Sequence, residues 1–205
     1  HVWSTIEHDI GYKTDVKIQN EYLRQFSRLA GTLELVDNEF SRLRTEITNY
    51  RRQMKALLKN GQLDDVLLSS DSFRSYLELN PFDRLNKHIA AVNQAELYPV
   101  SMMPFLSIFE SFGFETLGDV QRFIEENSED AYQLALSQLA ITDLDIFSTT
   151  AAPLYLCQVY ALKHDDSRKR LIFIYDTLNG KTDSNITQAD MMLEQAKTLP
   201  FMHSE

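Results

Sequence analysis

The 205-residue chain carries 20 Lys+Arg against 30 Asp+Glu, a formal charge of −10, which argues against nonspecific nucleic-acid or anionic-membrane binding over most of its surface. Hydrophobic residues at 43% and charged residues at 24% mark a globular rather than a disordered chain, long enough to bury a core in one domain or two small ones. With only 6 Gly and 5 Pro, too few for the turns of a β-sandwich or barrel, the composition favours helix.

The charge is uneven. Residues 1–60 hold 10 Lys+Arg and 8 Asp+Glu, a net of +2, whereas residues 61–205 hold 10 and 22, a net of −12. An anionic ligand is therefore expected at the first quarter. Cys157 is the single cysteine, so no disulfide can form within the chain, as expected in a reducing compartment. It lies in Leu154-Tyr155-Leu156-Cys157, where a buried inert thiol is expected rather than a nucleophile. No apolar run reaches the roughly 18 residues of a membrane span, and no signal peptide is seen, so a soluble cytoplasmic protein is expected. The chain opens at His1 without Met, as expected of a piece of a longer protein.

In chain order, Trp3, Ile6 and Ile10 come first, three and four apart on one helical face. The strongest pattern follows at Tyr22, Phe26, Leu29, Leu33, Val36, Phe40, Leu43, Ile47, Tyr50, Met54 and Leu57. Its steps alternate four and three, which is the a/d pattern of a heptad repeat. One long helix is expected, or two hinged near Gly31, with Arg42, Arg44, Arg51, Arg52, Lys55 and Lys59 largely off the seam on a solvated face. The seam should be buried, more readily by the acidic helices folding back than by a second copy. Asn60-Gly61 is a stop signal.

Shorter helices are expected beyond Gly61. Asp71 can cap one to about Leu79, and Asn80-Pro81 reads as the start of the next, with Phe82, Leu85, Ile89 and Val92 buried and Pro99 at its end. Helices follow from about Met102 to Phe112, from a Thr116/Asp119 capping box to Glu126, and from Ser128 onward. Three more are expected at Thr149–His164, Ser167–Leu178 and Gln188–Thr198. Leu171-Ile172-Phe173-Ile174-Tyr175 is strand-like in content, yet it has no hairpin partner in view and reads better as buried helix. The expectation is an all-α fold, a long heptad-patterned helix packed with several shorter helices, with no sheet larger than a stray hairpin. The segments are 1–60 and 61–205.

Val2-Trp3-Ser4-Thr5-Ile6-Glu7-His8-Asp9-Ile10-Gly11-Tyr12-Lys13 resembles a marked stretch of the RelA/SpoT-domain (p)ppGpp synthetases, in which a tryptophan helix with Glu-His and Tyr-Lys follows an E-x-Q-x-R-T strand. Phe26-Ser27-Arg28-Leu29-Ala30-Gly31 and Leu33 to Phe40 resemble the family helix that comes next, and the resemblance covers residues 1 to about 58. It implies a GTP pyrophosphokinase, which transfers pyrophosphate from ATP to GDP or GTP with Mg²⁺ offsetting phosphate charge, in a complete domain that is α/β. Positioning and electrostatics dominate such chemistry. The family's metal-binding Asp, guanine-stacking Tyr loop and E-x-Q-x-R-T glutamate belong upstream of His1, so this chain alone is expected to be inactive and to hold no metal itself.

By the same resemblance Glu7 and His8 are accessory catalytic candidates, Glu7 toward the metal or ribose and His8 toward a phosphate or a catalytic carboxylate. Lys13, with Tyr12 beside it, is a candidate phosphate counter-charge in substrate binding. The scaffold alternative stays open, since the Trp3, Ile6, Ile10 stripe suits a helix that merely closes the domain. Residues 61–205 resemble no family and are expected to serve regulation or assembly, including a possible homo-oligomer through 22–57. A stand-alone helical interaction module without activity is the competing expectation. His164-Asp165-Asp166 lacks the further histidines of a His-Asp phosphohydrolase, and Asp64-Asp65 lacks calcium-loop spacing. No Gly-rich phosphate loop, G-x-S-x-G elbow or zinc spacing is present.

Overall fold

The structure, a computed structural model, describes residues 16–203, with side chains from Asn20. It is all-α. Helix α1 (Val16–Lys59) runs 44 residues without proline. Gly31 makes no hinge in it; a Cβ there would meet nothing within 4 Å, so it occupies an ordinary surface position. Arg42 bonds Glu39 one turn before it and approaches Glu46 at 3.6 Å one turn after, at the spacings at which helix-surface charges pair. The helix stops where Gly61 turns left-handed at φ 72°, its N–H bonding Leu58 while the N–H of Gln62 bonds Leu57. That pair of bonds is the Schellman closure for which glycine is suited.

The chain divides into two compact units, 1–53 and 54–205, with the division inside α1. In the first, the seam side chains Tyr22, Leu29, Leu33, Val36, Phe40, Leu43, Ile47 and Tyr50 are 42–65% exposed. Within residues 1–53 the seam therefore exists as an exposed helical stripe. Only Met54 and Leu57, with Leu58 beside them, take part in the core of the second unit.

That second unit continues through a 3₁₀ turn (Leu63–Asp65), α2 (Ser70–Leu77), α3 (Asp83–Ala90), β1 (Glu96–Tyr98), α4 (Phe105–Ser111) and α5 (Leu117–Leu139). Then come β2 (Ile146–Ser148), α6 (Ala151–Leu162), α7 (Ser167–Asn179), α8 (Asp183–Ala196) and a last 3₁₀ turn (Pro200–Met202). The two strands pair in parallel, Leu97 opposite Phe147, with α4 and α5 in the crossover; this is a small parallel pair rather than a hairpin. Helix α6 is apolar on all sides and correspondingly buried, from Ala152 to Leu162, against α5 and α7. Phe73, Phe105, Phe109, Phe112, Phe114, Phe123 and Tyr160 form an aromatic cluster, and the Arg170 guanidinium lies 5.7 Å from the Phe112 ring centre.

Local signals decide the boundaries. Thr116 and Asp119 form the expected capping box, and α5 then runs unbroken past Ser128, whose hydroxyl bonds the Ile124 carbonyl instead of starting a helix. Ser69, not Asp71, caps α2 through a reciprocal box with Ser72. Asn80 sits at φ 54° and closes that segment instead of capping the next, and α3 ends at Ala90, well before Pro99. Leu171–Tyr175 is helical within α7, as expected, with Leu171, Ile174 and Tyr175 buried. Gly118 lets the 3₁₀ turn lie against α5, since a Cβ there would come within 2.0 Å of Asp64 Oδ1 and 3.0 Å of its Cα. No helix among the described residues is long and apolar enough to cross a membrane.

Asn86 ties α3 to the start of α6. Buried to 2% exposure, it donates to the Thr149 carbonyl at 2.7 Å and accepts from the Ala152 N–H at 2.9 Å. Asn86→Ala should leave both backbone groups unsatisfied and lower stability by about 1–3 kcal/mol, measured as a shift of the urea midpoint at unchanged slope.

Candidate functional site

Glu7, His8, Tyr12 and Lys13 lie outside the described residues, which begin at Val16. The remaining chemistry-bearing residues have structural explanations. Cys157 is fully buried and burial pushes its thiol up, so it is no nucleophile. His164 contacts the Tyr160 carbonyl through Nδ1 at 2.7 Å, and Asp166 is taken by Arg170. Asp64 pairs with Arg122 at 2.5 Å instead of joining Asp65. Among the described residues no three His, Cys, Asp or Glu side chains converge as metal ligands.

The first feature left over is the face of α1. Eight large seam side chains exposed along one 44-residue helix make an apolar stripe of the kind that marks an interaction surface. Residues 1–53 supply no neighbouring element among the described residues that could cover it.

The second is a cleft of about 490 Å³ in the 54–205 unit, between α3 and α5. Residues three and four apart on α3 (Pro81 just before it, Arg84, Leu85, His88) form one wall. Gln121, Ile124, Glu125, Ser128 and Glu129, in the same spacing on α5, form the other. Leu85 and Ile124 are buried, so the cleft is apolar at its base. The buried Tyr76 hydroxyl donates to Gln121 Oε1 at 2.6 Å, and Gln121 Nε2 donates to Glu125 Oε1 at 2.6 Å. Burial and then the Glu125 charge push the Tyr76 hydroxyl's pKa up, which keeps it a donor. On the facing wall His88 stacks on Tyr132, ring centres 3.8 Å apart and 9° from parallel.

The capping box holds the start of α5. Partial burial opposes ionisation of Asp119, but the N–H groups of Thr116 and Glu115 with Arg122 and the Thr116 hydroxyl outweigh it and bring the carboxyl down to about 2. A further, smaller cleft of about 370 Å³ between α6 and α8 is lined by Tyr155, Gln158 and Met191, and the buried Gln158 Oε1 has no hydrogen-bond partner among the described residues.

This cleft was invisible to sequence reasoning because nothing in the chain announces that α3 and α5 are neighbours. Spacings of three and four on both helices were the available signal.

With the seam exposed, Leu43→Asp should not unfold this chain. The expected loss is at most about 0.7 kcal/mol, the helix-propensity difference at an uncovered position, and a loss of several kcal/mol on denaturation would show that Leu43 is covered.

Comparison of the chain with protein-family models, with curated proteins and with solved structures found no match.

Proposed function

We propose that this chain is the C-terminal part of a RelA/SpoT-type alarmone synthetase, in which α1 braces the catalytic domain and residues 61–205 form a helical region for regulation or assembly. The observation that carries this is an overlap: the stretch that resembles the family's closing helices, residues 1 to about 58, contains the helix whose apolar stripe has no cover. A helix that closes a larger α/β domain would carry such a stripe and lay it on that domain's body.

In this reading the reaction is pyrophosphate transfer from ATP to GDP or GTP, in the cytoplasm, with Mg²⁺ supplying charge compensation. By the resemblance that ion belongs to the family's metal-binding carboxylate, which lies upstream of the stretch matched here. This chain's own contribution is positional. Glu7 and His8 line the nucleotide site beside Trp3, and Lys13, with Tyr12 next to it, offsets phosphate charge. The stand-alone interaction module is the competing function, since an uncovered stripe would equally serve a protein partner.

Turnover separates the two. The complete protein should make (p)ppGpp from ATP, GDP and Mg²⁺, and the 205-residue chain alone should not. Glu7→Ala in the complete protein should cut turnover at least tenfold, about 1.4 kcal/mol of transition-state stabilisation. A normal rate with lowered stability would assign Glu7 to scaffold, and no turnover by the complete protein would favour the interaction module.

A further inference from the structure

The α3–α5 cleft combines features that an incidental surface groove does not require. Its two walls carry opposite charge: Arg84 on α3, Glu125 and Glu129 on α5. Opposite charges lining one cleft would normally close on each other, and elsewhere in this unit arginines do so. Arg122 holds Asp64 and Asp119, Arg168 holds Asp190, and Arg170 holds Asp166. Arg84 makes no ion pair or hydrogen bond with the described residues, although residues 61–205 carry a net charge of −12.

The carboxylates are instead held on their own wall. Glu125 accepts from Gln121, itself anchored by the buried Tyr76, and Glu129 accepts from Gln133 at 3.0 Å. Stacking on Tyr132 fixes the His88 ring while both its nitrogens stay without a hydrogen bond to the described residues. The result is an uncommitted guanidinium on one wall and two held carboxylates on the other, with the buried Leu85 and Ile124 between them.

We infer that this cleft binds a small zwitterion, an α-amino acid or dipeptide with an apolar side chain. Arg84, with His88 beside it, takes the carboxylate, because a guanidinium matches a carboxylate with two parallel hydrogen bonds. Glu125 and Glu129 take the ammonium, and Leu85 and Ile124 receive the side chain. The volume of about 490 Å³ lies within the roughly 300–1,000 Å³ of small-ligand sites. A ligand with one charge would engage only one of the two walls, whereas a zwitterion engages both. The inference uses only residues 76–133 and stands or falls apart from the synthetase reading.

The test is a titration of this chain with free leucine, free phenylalanine and leucyl-leucine at millimolar concentration, followed by amide chemical shifts and the melting midpoint. The control is N-acetyl-leucine amide, which keeps the side chain and removes both charges. A zwitterion should perturb amides in 81–88 and 121–129 and raise the midpoint by roughly a few degrees, and the blocked control should do neither. Arg84→Ala and Glu125→Gln, both at solvent-accessible positions, should each weaken the zwitterion at least tenfold while the apo midpoint stays close to that of the parent. Binding of the control equal to that of leucine, or affinity unchanged by both variants, would overturn the inference. Absence of any perturbation by all three zwitterions would overturn it as well.

Discussion

Helix α6 presents apolar side chains around its whole circumference, with Ala152, Leu156, Val159 and Ala161 each at 0% exposure. A helix of that composition has no face to give to water, so it must be surrounded. Helices α5 and α7 do most of the surrounding, and α3 closes part of what remains, tied on by Asn86. The aromatic cluster seals the α4 side, where Phe112, Phe114 and Phe123 all meet Tyr160 of α6. The α3–α5 cleft is a consequence of that arrangement. Two helices are drawn to the same buried helix, and their outer faces, with Arg84 on one and Glu125 on the other, line the space between them.

The same constraint exposes what sets α1 apart. Residues 54–205 bury their apolar faces among themselves, and only the last turns of α1 join in, through Met54, Leu57 and Leu58. Further along the helix Leu33, Phe40 and Ile47 are each over half exposed, and residues 1–53 offer no second element among the described residues to pack on them. A stripe of that length is stable only against a further surface. A catalytic domain of the RelA/SpoT kind, continuous with residues 1–15, is the surface proposed here.

Much of the helical layout was legible in the sequence because its signals are local. The Thr116/Asp119 box, the glycine stop at Gly61 and the burial of Cys157 all depend on residues within a few positions of one another. The strand-like run at Leu171 is helical, in keeping with its lack of a hairpin partner in the sequence. Failures came where a second element decides the outcome. Ser128 and Asn80 look like helix starts, yet Ser128 bonds back into its own helix and Asn80 takes a left-handed turn. The β1–β2 pair joins three-residue strands fifty positions apart, too short for any periodicity to show.

The central claim is that this chain contains a self-sufficient helical unit joined to a helix that lacks its packing partner. Backbone amide hydrogen exchange of the 205-residue chain tests it most directly, since protection reports burial and cooperativity residue by residue. The account predicts strong protection in α5, α6 and α7, shared at a common opening free energy. It predicts fast exchange from Tyr22 to Tyr50, independent of protein concentration, rising to strong protection when the complete protein is measured. Protection of Tyr22–Tyr50 equal to that of α6 in the isolated chain would mean that the stripe is covered there, and the account would be wrong.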